Sequence, residues 1–235
     1  MLFSPTAMGI RSFMRLPSAI HFSISPATCQ GHAAKAVAAF AGIQRRQPQA
    51  PEIICASQFA RLQKILNIAI LDESGINVNM TRFYARSKGG SRAVDAVPLW
   101  KPQNATVLSS IQLNGETAYT TYSGGTTSER FVDYLRNVLI PTLSPDSIVV
   151  MDNMRSHHTQ AAKDLLEQAG VQYLYLPPYS PDLNHIEKMW SKLKAFLRKA
   201  KVRLLEKLPD AVRAVFKTIP SHDCSGWFRF CGYSR

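Results

Sequence analysis

Residues 175–187 read Tyr-Leu-Pro-Pro-Tyr-Ser-Pro-Asp-Leu-Asn-His-Ile-Glu, and this stretch carries most of the information about the fold. Its prolines remove backbone donors and fix φ, so we expect an irregular loop. Residues 172–176, which overlap the start of this stretch, predict a short strand before the prolines. The apolar residues after it recur at helical spacing and predict a helix over about 185–203, with Trp190 in its buried stripe.

Upstream of this loop, the pattern alternates between strands and helices. Residues 147–151 read Ser-Ile-Val-Val-Met and predict a buried strand, followed by a helix over about 159–169 that Gly170 closes. Further strands are predicted at 67–71, 81–86, 105–113 and 116–122, and a further helix at 128–139. Strands followed by alternating strands and helices predict an α/β fold, a mixed sheet flanked by helices.

Three carboxylates stand at the ends of these predicted elements. Asp72 and Asp152 each follow a buried strand, and Glu187 lies in the first turn of the helix after the proline-rich loop. Converging carboxylates favour a hard cation such as Mg²⁺ or Mn²⁺ between them. The alternative is that each Asp is a turn or cap residue, which is the commoner role after a strand. Glu73 points to the opposite side of a continuing strand, so we leave it out of the metal set.

The composition favours a folded protein with an anionic partner. Of 235 residues, 46% are hydrophobic and 19% are charged, which excludes a disordered chain. No apolar stretch is long enough to span a membrane. The net charge of +12 favours nucleic acid over membrane as the partner. The cysteines form no CxxC pair, which fits a reducing compartment.

Two-thirds of the net charge is concentrated in one window. Residues 188–217 hold ten basic and two acidic residues. Such clustering is typical of phosphate binding, although a solvated helix face is the alternative. Five of these side chains flank Glu187 on the predicted helix and are candidate DNA contacts: Lys188, Lys192, Lys194, Arg198 and Lys199.

The first 60 residues differ from the rest. Residues 1–51 contain no Asp or Glu, are rich in Ser, Ala and Pro, and show no sustained period. We expect residues 1–60 to be an irregular basic leader rather than a native folded domain. The alternatives are an organellar transit peptide and the product of a truncated or frame-shifted gene.

The motifs together resemble the DDE transposases of the mariner superfamily, in particular the bacterial insertion-sequence branch. The resemblance rests on Asp-Asn at 152–153, on the proline-rich motif ending at Glu187, and on the 34 residues between the two acids. It covers about residues 67–235. It implies an RNase H-like catalytic domain that performs divalent-metal-dependent cleavage and strand transfer of DNA.

The resemblance also implies roles for individual residues. Asp72, Asp152 and Glu187 would be the catalytic metal ligands for Mg²⁺ or Mn²⁺, with two ions as the expectation. Asn153 and His157 are possible supporting residues, because they follow Asp152 closely enough to reach a phosphate or a metal-bound water. The alternatives are a turn role for Asn153 and a structural role at the start of a helix for His157. Transposon ends and target DNA are the expected partners, the enzyme is expected to form a homodimer, and it should work in the bacterial cytoplasm at the nucleoid.

The chain departs from the family pattern at two places. His185 stands where the family usually has Pro. Residues 1–60 also show no pair of amphipathic helices for recognising transposon ends, so we expect a separately encoded helix-turn-helix half. Two alternatives stay open: an inactive remnant that only binds DNA, and an RNase H-like nuclease that acts on RNA–DNA hybrids.

Overall fold

A computed structural model describes residues 67–177 and 183–233 of the chain. Most of the proline-rich loop, at 178–182, and the predicted leader at 1–60 lie outside the described residues. Five strands form one mixed sheet in the order β3-β2-β1-β4-β5. Their bounds are β1 Ile68–Asn77, β2 Asn104–Gln112, β3 Thr117–Ser123, β4 Ile148–Met151 and β5 Gln172–Tyr175.

The sheet is antiparallel on one side of β1 and parallel on the other. β1 pairs antiparallel with β2, and β2 with β3 through the predicted turn at Asn114 and Gly115. Gly115 has a φ of 92°, which favours glycine in this tight turn. β4 and β5 run parallel to β1, as strands separated by crossover helices do.

In the described part of the chain, five α-helices cover the two faces of the sheet. They are α1 Ser128–Tyr134, α2 Gln160–Gln168, α3 Ile186–Ala200, α4 Leu208–Phe216 and α5 Ser221–Phe230. A π-helical turn, Leu135–Leu139, extends α1, so the predicted helix at 128–139 is confirmed. Thr127 caps α1 by accepting a hydrogen bond from the backbone N–H of Arg130. Helix α3 ends at Lys201, which adopts a left-handed conformation.

Alternating residues of β1 enter two separate cores. Ile68 and Ile70 pack in one core with the buried stripe of α3 and with residues of α4 and α5. Ala69 and Leu71 pack in the other core with residues of α1 and α2. Side chains alternate across a strand, so each face of the sheet has its own helical layer. The predicted mixed sheet flanked by helices is confirmed.

Two predictions about strands are wrong. Residues 81–86 form no strand, and Phe83 and Tyr84 are exposed there without strand pairing. β1 does not stop before Asp72 but continues to Asn77, because its antiparallel partner β2 pairs with it along this whole stretch. Asp72 therefore lies inside a strand rather than after one.

No helix within residues 67–177 and 183–233 combines the length and apolar character that crossing a membrane requires.

Candidate active site

Asp72, which lies in β1, and Asp152, which follows β4, are neighbours where these two parallel strands pair. The last residue of β4, Met151, pairs with Leu71 of β1, and each of these two residues is followed by an aspartate. The closeness has an electrostatic consequence, because the charge of Asp152 contributes to raising the pKa of Asp72. Two of the three predicted carboxylates are thus brought together at the carboxyl end of β4, beside the central strand β1.

Asp72 is buried and carries three hydrogen bonds. Oδ2 accepts from Nδ2 of Asn184 at 3.0 Å and from Nε1 of Trp190 at 3.2 Å. Oδ1 accepts from the backbone N–H of Glu73 at 2.8 Å. Burial outweighs these bonds and raises the pKa of Asp72 to about 7, with a further contribution from Asp152. Burial and the neighbouring Asp152 therefore disfavour the charged form of Asp72 despite its three donors.

Glu187 occupies the second position of α3 and its side chain is exposed. It lies three residues after Asn184 and three before Trp190, the two residues that donate to Asp72. Residues three apart share one side of a helix, so this end of α3 lies next to the β1 carboxylate. The backbone N–H of Glu187 donates to the carbonyl of Asn184 at 3.2 Å, which fixes the first turn.

A second cluster joins Glu73, Asp152 and His157. Among the described residues, their ligand atoms lie within 4.8 Å of one another, and neither Asp72 nor Glu187 belongs to this group. His157 Nε2 lies 3.0 Å from Glu73 Oε1, and Nδ1 lies 2.9 Å from Asp152 Oδ1. Burial alone lowers the pKa of His157, but the two carboxylates outweigh it and raise the pKa to about 10.

Sequence reasoning set Glu73 aside, whereas the structure places it against the site. Its side chain does face the opposite layer from Asp72, as alternation requires. The chain after β4 then turns through Arg155–His158, and this turn brings His157 to Glu73. The pattern of the strand could not reveal a contact that depends on the path of the following turn. The other supporting candidate, Asn153, contacts the His158 ring.

The candidate DNA contacts fall on two sides of α3. Lys194 and Arg198 line a groove of about 430 Å³ together with Arg82 and Phe83. On the other side, the ammonium of Lys188 lies over the Phe230 ring, and Lys192 pairs with Asp223 at 2.6 Å. Lys199 is exposed near the end of the helix. Within the groove, the guanidinium of Arg198 lies over the Phe83 ring at 5.0 Å from its centroid.

His185 is buried at the start of α3, in an aromatic cluster with α5. Its ring centroid lies 3.9 Å from that of Phe228 and 4.7 Å from that of Tyr233. Among the described residues, neither ring nitrogen has a hydrogen-bond partner. Burial lowers the pKa of His185 to about 3, so the ring is neutral at physiological pH.

A search of curated protein sequences finds no match. Among solved structures, the fold is similar to a pre-cleavage Mos1 transpososome, with a TM-score of 0.61 and 15% identity over 94% of this chain. It is also similar to the Mos1 mariner paired-end complex with Mn, with a TM-score of 0.58 and 18% identity over 95% of this chain. The chain spans only 65% and 64% of the length of these two relatives.

The catalytic domain of Mos1 mariner transposase is matched over most of both chains. The TM-score is 0.51 with 17% identity, over 89% of this chain and 90% of that one. These likenesses show a shared fold, the predicted RNase H-like arrangement. Residues 67–209, more than half of the chain, match the family of DDE superfamily endonucleases. The chain therefore belongs to the DDE superfamily endonuclease family.

Proposed function

We propose that residues 67–235 are the catalytic domain of a transposase of the bacterial insertion-sequence branch, which cleaves DNA at transposon ends and joins the free 3′-hydroxyl to target DNA. The observation that carries this proposal is the pair of aspartates that follow paired residues of the parallel strands β1 and β4, beside the end of α3 that bears Glu187. Membership of the DDE endonucleases and the fold shared with Mos1 support it.

We propose Asp72, Asp152 and Glu187 as ligands of Mg²⁺ or Mn²⁺, two ions in all. The donor set fits such a cation, because hard divalent ions prefer carboxylate oxygens. The burial of Asp72 supports the fit, because a bound cation would stabilise the charged carboxylate that desolvation and the neighbouring Asp152 disfavour. A bound metal pair would activate the attacking water or 3′-hydroxyl and stabilise the leaving oxygen.

The chain's own residues orient these ligands. Asn184 and Trp190 occupy Oδ2 of Asp72, and the Glu73 N–H occupies one side of Oδ1. A carboxylate oxygen can accept two hydrogen bonds, so Oδ1 is the atom of Asp72 that keeps a free lone pair. Asp152 Oδ1 similarly accepts from the Met154 N–H at 3.2 Å and lies 2.9 Å from Nδ1 of His157. Its Oδ2 accepts no hydrogen bond from the described residues and is left for a ligand.

We propose that the basic residues of α3 hold the DNA backbone. Positive charge on the two sides of the helix comes from Lys188, Lys194, Arg198 and Lys199. Lys192 adds to it beside its Asp223 partner. Cations of this kind contact phosphates without reading sequence. Asn153 and His157 support Asp152 rather than contact bases. Recognition of transposon ends would then come from a separately encoded helix-turn-helix half.

The Mos1 neighbours suggest how such a domain is used. They include a transpososome and a paired-end complex with Mn, so we propose that this chain likewise works as a homodimer on two DNA ends. Residues 1–60 would be a leader outside the catalytic unit. An enzyme acting on the bacterial chromosome would work in the cytoplasm at the nucleoid.

The test is nicking of supercoiled plasmid by the full chain in Mg²⁺ or Mn²⁺. We expect cleavage by the wild type, none by Asp152→Asn, and full activity of the matched control Asp164→Asn, which changes an exposed aspartate on α2. Asp152→Asn should keep salt-sensitive DNA binding, because the basic side chains remain. Equal nicking by wild type and Asp152→Asn would contradict the proposed site.

Two further outcomes separate the alternatives. If neither the wild type nor Asp152→Asn nicks DNA while both still bind it, even after addition of the DNA-binding half, the chain is a non-catalytic remnant. Cleavage of the RNA strand of an RNA–DNA hybrid without cleavage of plasmid would identify an RNase H-like nuclease.

A further inference from the structure

A chain of contacts runs from Glu73 through His157 to Asp152. Glu73 Oε1 accepts a hydrogen bond from Nε2 of the imidazole at 3.0 Å. On the other side of the ring, Nδ1 donates to the backbone carbonyl oxygen of Asp152 at 3.2 Å and lies 2.9 Å from Oδ1 of the same residue. Both ring nitrogens therefore face carboxylate oxygens. The ring itself is fully buried and lies 4.2 Å from the Phe131 ring, measured between centroids.

The backbone around His157 is fixed as firmly as its ring. Its N–H donates to the Met154 carbonyl at 3.0 Å, and its own carbonyl accepts from the Tyr175 hydroxyl at 2.9 Å. Packing and hydrogen bonds on both sides leave the imidazole one orientation. A side chain held in this way can fix the rotamer of a neighbour that is itself partly exposed, as Asp152 is.

Among the described residues, the carboxylate of Glu73 has one hydrogen-bond partner, the imidazole of His157. Its side chain is 9% exposed, and Oε2 is buried without a hydrogen-bond partner among the described residues. A buried carboxylate with a single partner is costly unless that partner is well placed. The Glu73 side chain therefore acts on the site by anchoring His157.

We propose that Glu73 and His157 are positioning residues for Asp152. Glu73 holds the imidazole at Nε2, and the imidazole holds Oδ1 of Asp152, so that Oδ2 is turned to the metal side next to Asp72. This inference rests on the proposed function, because it assigns a purpose to the orientation of a proposed metal ligand. Residues that orient ligands in this way typically change metal affinity by roughly 10–100-fold when they are removed.

The test measures metal binding by the full chain without DNA. Mn²⁺ bound to the protein is followed by electron paramagnetic resonance, and Mg²⁺ or Ca²⁺ is added to displace it. Mg²⁺ requires near-ideal octahedral geometry, whereas Ca²⁺ accepts irregular sites. The two ions carry the same charge, so the ratio of their dissociation constants reports the geometry of the ligands and cancels the effect of removing a charged side chain.

Four variants distinguish positioning from general damage. Glu73→Ala and His157→Phe remove the anchor and the donor, and each should raise the Mg²⁺-to-Ca²⁺ ratio of dissociation constants about tenfold. Glu73→Gln keeps an acceptor for Nε2 and should leave the ratio near that of wild type. Leu139→Ala opens the same core without removing either contact or the Phe131 ring, so it should lower the melting temperature and leave the ratio unchanged.

Two results would overturn the proposal alone. One is a wild-type ratio in both Glu73→Ala and His157→Phe while Asp152→Asn abolishes Mn²⁺ binding. The other is complete loss of Mn²⁺ binding in Glu73→Ala and Glu73→Gln, which would make Glu73 a metal ligand itself. If Asp152→Asn binds Mn²⁺ as the wild type does, the proposed metal site is wrong, and this inference, which depends on it, is wrong as well.

Discussion

The indole N–H of Trp190 donates to Oδ2 of Asp72 across 3.2 Å, between a helix and a strand that lie 118 positions apart in sequence. Trp190 is also one of the largest fully buried side chains. The same residue thus packs α3 on the sheet and orients a carboxylate of the candidate site. A shift of α3 would therefore change the hydrogen bond that orients the Asp72 carboxylate.

Trp190→Phe should make metal binding more sensitive to acid. The change keeps an aromatic ring but removes the donor that stabilises ionised Asp72, so the pKa of Asp72 rises further. A hydrogen bond to a charged group is worth about 1.5–3 kcal/mol, which corresponds to a shift of about one pH unit or more. Mn²⁺ binding measured as a function of pH should move to higher pH by that amount.

Leu193→Ala is the matched control for this experiment. Leu193 lies in the same buried stripe of α3 without touching Asp72, and its truncation costs about 2–5 kcal/mol of stability. Its binding curve should keep the wild-type midpoint. A shift in Leu193→Ala as large as that in Trp190→Phe would show that loosened packing, and not the lost donor, moves the curve.

Asp72 should destabilise the metal-free protein as the pH rises. Its pKa is about 7 in the folded state against 3.8 as the ordinary value, so the unfolded chain loses the proton first. The stability that the protonated carboxyl provides is present below about pH 4 and is lost as the pH rises through 7. The loss is on the order of 4 kcal/mol.

Urea denaturation in a chelator at pH 4 and pH 8 measures this effect. The change in unfolding free energy between the two pH values should be more negative in wild type than in Asp72→Asn. Divalent metal should restore stability at pH 8 in wild type only. Equal pH dependence in the two proteins would show that Asp72 has an ordinary pKa.

His185 should have the opposite pH dependence. Its pKa is about 3 when folded and 6.5 as the ordinary value, so the unfolded chain takes up a proton first as the pH falls. Stability is full above about pH 6.5 and declines towards pH 3. Between pH 8 and pH 5 the wild type should lose about 2 kcal/mol that His185→Phe does not lose, since Phe keeps the ring contacts with Phe228 and Tyr233.

Chemical denaturation of both proteins at pH 8 and pH 5 tests this expectation. The comparison is the drop in unfolding free energy between the two pH values, which removes any difference in packing. A drop of the same size in His185→Phe would mean that His185 is not the group that makes the protein acid-sensitive.

Lys194 and Arg198 should contribute to the salt dependence of DNA binding. Both line the groove beside α3, and each neutralised phosphate releases counterions. Replacing either by Ala should weaken binding of any DNA sequence and reduce the slope of log K against log salt by about one. Arg136→Ala, which removes an exposed charge in the other helical layer, should leave the slope unchanged. Fluorescence anisotropy over a salt series measures the slopes.

The sheet could be predicted from the sequence because its central strands are apolar runs that end at polar residues. The exception, residues 81–86, contains β-favouring Phe83 and Tyr84, which are exposed and have no partner strand. Strand preference depends on a pleated surface to pack against, and sequence alone does not reveal whether one is present. The continuation of β1 past Asp72 depends on its pairing with β2, which is also a tertiary contact.

The sequence predicted which residues belong to the candidate site better than it predicted which of them contact one another. The helical stripe predicted that Trp190 is buried, but not that its N–H meets Asp72. Alternation correctly turned Glu73 away from Asp72, but the turn at Arg155–His158 brings His157 to it. Each missed contact depends on how a loop or helix is placed in the folded protein, and the periodicity of a local segment does not give that placement.

Asp72 and Glu73 are neighbours in β1 with opposite partners: Trp190 in one layer and His157 in the other. Slippage of β1 by one residue against β2 would exchange the two carboxylates between the layers, while most of the sheet's backbone hydrogen bonds could form again. Nine paired positions between β1 and β2 oppose that slippage. Correct strand register is thus a condition for chemistry as well as for stability, and a misregistered chain would keep a sheet while losing its metal ligands.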